Sequence, residues 1–116
     1  MHVRPATRAD IEAFSDMPNK PTILAWAGEV DGEIIALGGI AFSNGRWFGF
    51  CDLKDEARKY KMTIMRTTKG VFEEARRQGI RYVYAEADSN EPKAERWLAS
   101  LGFELNPKTS VYRWSA

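Results

Sequence analysis

The sequence predicts a mixed α/β domain in which an antiparallel meander leads into a strand-helix-strand unit, giving one mixed sheet with helices on its faces. Three observations carry this. Asp31-Gly32 and Asn44-Gly45 are hairpin dipeptides that separate three runs rich in Ile, Ala and aromatic residues. From about Glu56 to Gln78 the apolar period turns helical, with Tyr60, Ile64, Val71, Phe72 and Ala75 on one face and Met65 and Thr68 beside them. A β-branched and aromatic run, Arg81 to Glu86, follows at once. A strand, a helix and a strand in succession put the two strands parallel, joined by a right-handed crossover.

The remaining elements follow in order. Val3-Arg4-Pro5-Ala6-Thr7 reads as a short strand and then a helix start, where Thr7 and Asp10 form a capping-box-like pair with Asp in the acidic place. The helix carries Ile11, Ala13 and Phe14 and is expected to stop near Met17-Pro18, because proline disfavours helix in the residue before it. Asn19-Lys20-Pro21 is a loop, and Ile23 to Val30 is the first meander strand. Its partner runs from Glu33 to Phe42, where Gly38-Gly39 weakens the strand or marks a bulge or a close backbone approach. Arg46 to Leu53 is the third meander strand, and Gly79 is a helix stop. Ala94, Trp97, Leu98 and Leu101 recur at i, i+3, i+4 and i+7, a helix with one buried face. Phe103 to Leu105 and Val111 to Trp114 form a closing hairpin around Asn106-Pro107-Lys108.

The chain of 116 residues fits a single domain over its whole length, 1–116. Its formal net charge of +1 implies no polyanion partner for the molecule as a whole. No run approaches the roughly 20 apolar residues of a membrane span, and no signal core or twin arginine opens the chain, so a cytoplasmic protein is expected. The lone cysteine, Cys51, sits in Trp47-Phe48-Gly49-Phe50-Cys51 and reads as a buried small hydrophobe rather than a nucleophile. The only histidine is His2, near the chain end, and no cluster has metal-ligand spacing. Arg46-Trp47, Arg96-Trp97 and Arg113-Trp114 raise the question of nucleic acid. Their places in strands and on an apolar helix face argue for core packing instead.

The block from Tyr82 to Phe103 is the most specific stretch. Tyr82-Val83-Tyr84-Ala85-Glu86-Ala87 ends in Asp88-Ser89-Asn90, a helix with Ala94 and Trp97 follows, and Leu101-Gly102-Phe103 closes it. This pattern resembles the C-terminal half of the GNAT (Gcn5-related N-acetyltransferase) fold. Arg4-Pro5-Ala6-Thr7 resembles a common start of such chains, and the element order matches over nearly the whole length. Ala57-Arg58-Lys59-Tyr60 and Ala94-Glu95-Arg96-Trp97-Leu98 look most like small, divergent members encoded by phages.

The resemblance implies an acetyl-CoA or acyl-CoA co-substrate whose pantetheine arm lies between two splayed parallel strands. Its pyrophosphate would rest on the loop before the crossover helix, here Lys54 to Thr63. The physical basis is general: a helix N-terminus offers unpaired N–H groups and a positive dipole end to an anion. Aligned on Glu73-Glu74-Ala75-Arg76-Arg77-Gln78-Gly79, the family's Arg/Gln-x-x-Gly-x-Gly/Ala motif falls on Lys59-Tyr60-Lys61-Met62-Thr63-Ile64. The basic positions match, whereas the glycines, used for close approach, are absent. Segment 54–81 holds nine basic residues and four acidic ones. Its cations near the helix start oppose the dipole unless an anion joins them. The cofactor-binding residues so implied are Leu53, Arg58, Lys59, Tyr60, Lys61, Met62, Thr63 and Asn90, the last also a helix cap.

Direct acyl transfer requires a base for the amine and an acid for the leaving thiolate. Asp52, at the end of its strand, and Glu86 and Asp88, closing the next parallel strand, are the carboxylates in place to act as the base. The family's acid is commonly a Tyr four residues before the Gly of Leu-Gly-Phe, and that place holds Leu98. Tyr60, Tyr82, Tyr84 and Tyr112 are other phenols, with nothing in the sequence to choose among them. Only one helix precedes the first meander strand where the family has two. The acceptor cleft is therefore expected to be open, or completed by a homodimer or another protein partner. Two functions stand: an acyl-CoA-binding N-acetyltransferase acting on an amine, and a non-catalytic binding or structural protein on the same fold.

Overall fold

Two tight turns build the first half of the sheet. Asp31 and Gly32 take φ of 52° and 82°, and Asn44 and Gly45 take 52° and 80°, the left-handed pair that closes a two-residue hairpin in step with strand twist. In this computed structural model, which describes residues 1–14, 23–87 and 93–116, they join β2 (Ile23–Val30), β3 (Glu33–Ser43) and β4 (Arg46–Leu53) into an antiparallel meander. β1 (His2–Pro5) adds to the free side of β2, with His2 opposite Glu29.

The crossover begins with a 3₁₀ helix, Asp55–Tyr60, and continues as α2 (Lys61–Arg77), where the sequence read one helix from about Glu56. Ile64, Thr68, Phe72 and Ala75 are the buried stripe of α2, the expected face. Gly79 stops it at φ 83°; its N–H donates to the Arg76 carbonyl at 3.1 Å and that of Ile80 to Ala75 at 2.9 Å. This is the double bond pattern of a Schellman end. β5 (Tyr82–Ala85) then lies parallel to β4, as the βαβ reading requires. After α3 (Ala94–Ser100), β6 (Phe103–Asn106) and β7 (Val111–Ser115) form the closing hairpin.

The sheet order is β1-β2-β3-β4-β5-β7-β6. The last strand inserts between β5 and β6, an order the hairpin reading left undetermined. Alternation assigns the two faces. On one face Ile40, Val83, Ala85, Phe103, Tyr112 and Trp114 pack under α2 and α3, whose Phe72, Ala75, Leu98 and Leu101 complete the main core. On the other, Ile11 of α1 (Arg8–Phe14) packs on Ala27 and Leu37, with Phe50 beside them.

The N-terminal cap forms as the sequence implies: the Thr7 N–H donates to Asp10 Oδ2 at 2.8 Å and the Asp10 N–H to Thr7 Oγ1 at 3.2 Å. Arg4 adds two bonds to the same carboxylate, at 2.6 and 3.0 Å. The expected helix stop near Met17-Pro18, and the segment where a second helix is missing by sequence, lie outside the described residues.

Candidate functional site

The parallel pairing of β4 and β5 amounts to a single bridge, Phe48 opposite Tyr84. Neither neighbouring pair in that register, Arg46 with Tyr82 or Phe50 with Glu86, is bridged, so the two strands are joined at one point only. The chain leaves the C-terminal end of β4 and turns directly into the 3₁₀ helix and α2. A sparsely joined parallel pair and a helix start therefore lie next to each other in the chain.

The start of α2 has no side-chain cap and no acidic residue in its first turn. The 3₁₀ helix runs straight into it, and the cations Arg58, Lys59 and Lys61, all exposed, flank its positive dipole end. Arg58 Nε stands 3.8 Å from Asp55, and Lys59 Nζ lies 5.5 Å from the centre of the Tyr60 ring. Lys61 has no carboxylate partner among the described residues. Lys54, entering the loop, is held by Glu33 at 2.7 Å, which raises the lysine pKa and lowers that of the glutamate. Met62 is 75 % exposed. Thr63 is half-buried and Leu53 exposed.

Beneath this junction lies Trp26, buried with Ala36, Ala57 and Ile64. A Cβ at Gly38 would stand 2.9 Å from its ring, so the close approach signalled by Gly38-Gly39 is that of an indole lying over β3. The Trp26 Nε1–H has no acceptor among the described residues. A buried, unmatched donor of this kind costs about 1–3 kcal/mol.

Asp52 and Glu86 stand at the C-terminal ends of β4 and β5. Asp52 is half-buried and faces the α1 side, opposite Leu37 of β3; Glu86 is exposed just past the end of β5. Asp88 and Asn90 lie outside the described residues. Cys51 corrects the sequence reading. It is exposed to solvent, although neighbouring protein atoms partly desolvate its thiol. Its thiol is pushed up to about 12, first by desolvation and then by the Asp52 charge, which leaves it protonated and inert at neutral pH.

The four phenols also separate. Tyr112 is buried in the main core; Tyr82 opens β5, and Tyr84 sits opposite Phe48, two residues before Glu86. Tyr60 is half-buried at the helix start, packed on the Trp26 cluster. Leu98 is core. Trp26 and Trp114 are buried, and Trp47 and Trp97 half-buried against core clusters, as the tryptophan positions imply. Trp26 escaped the sequence reading as a site residue; the adjacent Gly38-Gly39 was the only signal for it.

No family model matches the sequence, and no curated protein does so. Solved structures match the fold. The ribosomal-protein-S18-alanine N-acetyltransferase of Escherichia coli aligns with a TM-score of 0.72 at 12 % identity, covering 98 % of this chain and 92 % of that one. The GNAT domain of S. lividans PAT gives 0.60 at 17 % identity, over 93 % of this chain and 67 % of that one. The AtaTR complex bound with AcCoA gives 0.50 at 12 % identity, over 80 % and 67 %. The chain has the GNAT acyl-CoA N-acyltransferase fold.

Proposed function

We propose that this chain binds acetyl-CoA, or another acyl-CoA, at the corner where β4 and β5 part, and transfers the acyl group to an amine. The observation that carries the reading is the single Phe48–Tyr84 bridge, with an uncapped, cation-flanked helix start reached directly from β4. A parallel pair joined at one point leaves backbone groups free to bond an extended amide-bearing arm. The α2 start supplies N–H groups, with Arg58, Lys59 and Lys61, to a pyrophosphate. The residues present fit such a group: Arg58, Lys59 and Lys61 are exposed cations at the start of α2, and the Trp26 N–H beneath has no acceptor among the described residues. An AcCoA complex with this fold agrees with it.

In the reaction, the amine nitrogen attacks the thioester carbonyl carbon. A base removes one amine proton, the C–S bond breaks, and the CoA thiolate leaves as a thiol after taking a proton. Asp52 or Glu86, flanking the opening, takes the amine proton, directly or through water. Tyr60 is the phenol nearest the helix start and is our choice to protonate the thiolate. The amine acceptor enters from the α1 side, completed there by a second copy or another protein. Action in the cytoplasm, and a phage origin, belong to the same reading.

Two observations favour a second reading, a binding or structural protein without acyl transfer. Leu98 fills the family's tyrosine place with core, and the glycine-free loop is wound into a 3₁₀ helix. Calorimetric titration at low salt with acetyl-CoA, and separately with CoA, decides between them. Micromolar binding that Lys59→Glu and Lys61→Glu weaken, followed by loss of acyl transfer in Asp52→Asn or Glu86→Gln, supports the enzyme. Absence of binding at millimolar ligand refutes it.

A further inference from the structure

Among the described residues, the face of the sheet that carries α1 is covered only as far as β4. Val83, Ala85, Tyr112, Trp114 and Phe103 all point into the core on the other side. Tyr82, Tyr84 and Arg113 therefore point outward on this one. They continue a row across three strands, Phe48 opposite Tyr84 and Tyr84 opposite Arg113. Phe48 is 40 % and Tyr82 44 % exposed. No helix among the described residues packs on the rings of Tyr82 and Tyr84.

Cations are interleaved with these rings. The Arg46 guanidinium lies 4.8 Å from the centre of the Tyr84 ring and that of Arg113 4.7 Å from Tyr82. The Phe48 and Tyr84 rings are themselves 6.3 Å apart. Beside them a concavity of about 640 Å³ opens between the start of β4 and the α2–β5 turn, lined by Arg46, Trp47, Gln78, Arg81, Tyr82 and Tyr84 among others, with no carboxylate in its wall. The acids on this face of β4 to β7, among the described residues, are Glu104, opposite Arg113, Glu86, two residues beyond Tyr84, and Asp52, at the far end of β4.

We infer that this face is a docking platform for single-stranded nucleic acid. Flat rings in a row accept unpaired bases by stacking, which every base permits, and guanidiniums between them meet the phosphates. Charge complementarity selects a polyanion, and the exposed π faces select one with unpaired aromatic groups. A duplex hides its base faces, and an acidic protein surface would make no use of the rings. The sequence argued against nucleic acid on its tryptophans; this surface is built of tyrosine, phenylalanine and arginine, brought together by the insertion of β7 beside β5. It shares its face with Asp52 and Glu86 but centres toward the start of β4, where Phe48 stands four residues before Asp52 and Tyr84 two before Glu86. It stands independently of the proposed acyl transfer.

The test is fluorescence anisotropy with a labelled dodecamer of oligouridylate against the full chain. We expect micromolar binding that weakens roughly ten-fold between 50 and 200 mM salt, as about three phosphate contacts on a single strand require. Tyr82→Ala and Arg113→Ala each weaken it roughly five-fold or more. Lys69→Ala, on the exposed side of α2, leaves it unchanged, and circular dichroism verifies that each variant folds. The proposal is overturned by absence of binding at millimolar oligonucleotide, by affinity that both variants leave intact, or by a duplex of equal length binding as tightly. Equal affinity for polyglutamate would assign the face to an acidic protein, and a dimer in sedimentation that Tyr82→Ala dissolves would assign it to a second copy; either overturns it.

Discussion

At the residue scale, Asp10 concentrates the most interactions on one side chain. It accepts from Arg4 and from the Thr7 N–H, and both hold its carboxyl well below the usual carboxylate range, Arg4 more strongly. A depressed folded-state value stabilises the fold above the unfolded-state value near about 3.9, and the contribution is lost as pH falls through the folded one. Asp10→Asn is therefore expected to lower stability at neutral pH by about 1–3 kcal/mol and to flatten the acid limb below about pH 4, as read by urea unfolding at a series of pH values. Cys51 gives a second expectation. With its thiol near 12, labelling by a thiolate-selective disulfide reagent at pH 8 should run orders of magnitude slower than for free cysteine. Labelling at the free-cysteine rate would mean that the thiol is fully solvated.

At the element scale, the turns and helix ends were legible because each depends on a few adjacent residues. Asp31-Gly32, Asn44-Gly45 and Gly79 all adopt the left-handed backbone that their residue types favour. Gly79→Ala should cost about 1 kcal/mol or more, since φ is 83° and open space around the position rules out a clash as the cause. A shift in urea midpoint at constant slope would show it; no shift would mean that the helix end rearranges freely. The 3₁₀ helix was not legible. Asp55 to Tyr60 carries a helical pattern, and nothing local separates a tighter first stretch from α2. Its buried member, Ala57, is set by contact with the Trp26 cluster, a distant partner.

At the scale of the whole molecule, three clusters on two sheet faces hold the sheet. Leu37, fully buried where α1 meets β3, links the N-terminal cap to the meander. Leu37→Ala is expected to cost about 2–5 kcal/mol. Because Arg4, Asp10 and α1 lean on the same face, that variant should also weaken the cap, so its loss and that of Asp10→Asn should fall short of additive in a double-mutant cycle. Full additivity would separate the α1 face from the cap. Of the candidate site, the sequence placed the cations and carboxylates on their elements, and a splayed strand pair was implied by the family resemblance alone. That β4 and β5 share a single bridge depends on how the two strands lie under the α2 crossover. Trp26 and Cys51 took their roles from packing across β3, which no local pattern encodes.

The sequence by itself determined the meander, its two turns, the capping pair of Thr7 and Asp10, the buried stripe of α2 and the parallel sense of β4 and β5. Each rests on backbone preferences or side-chain periodicity within a short span, and a crossover has a fixed hand. Tertiary structure decided the place of β7 between β5 and β6, the single bridge between β4 and β5, and the partners of Trp26. It also gathered Phe48, Tyr82, Tyr84, Arg46 and Arg113 on one surface. These depend on which distant strands pair and which face is left uncovered, choices made by the burial of the whole core rather than by neighbours along the chain.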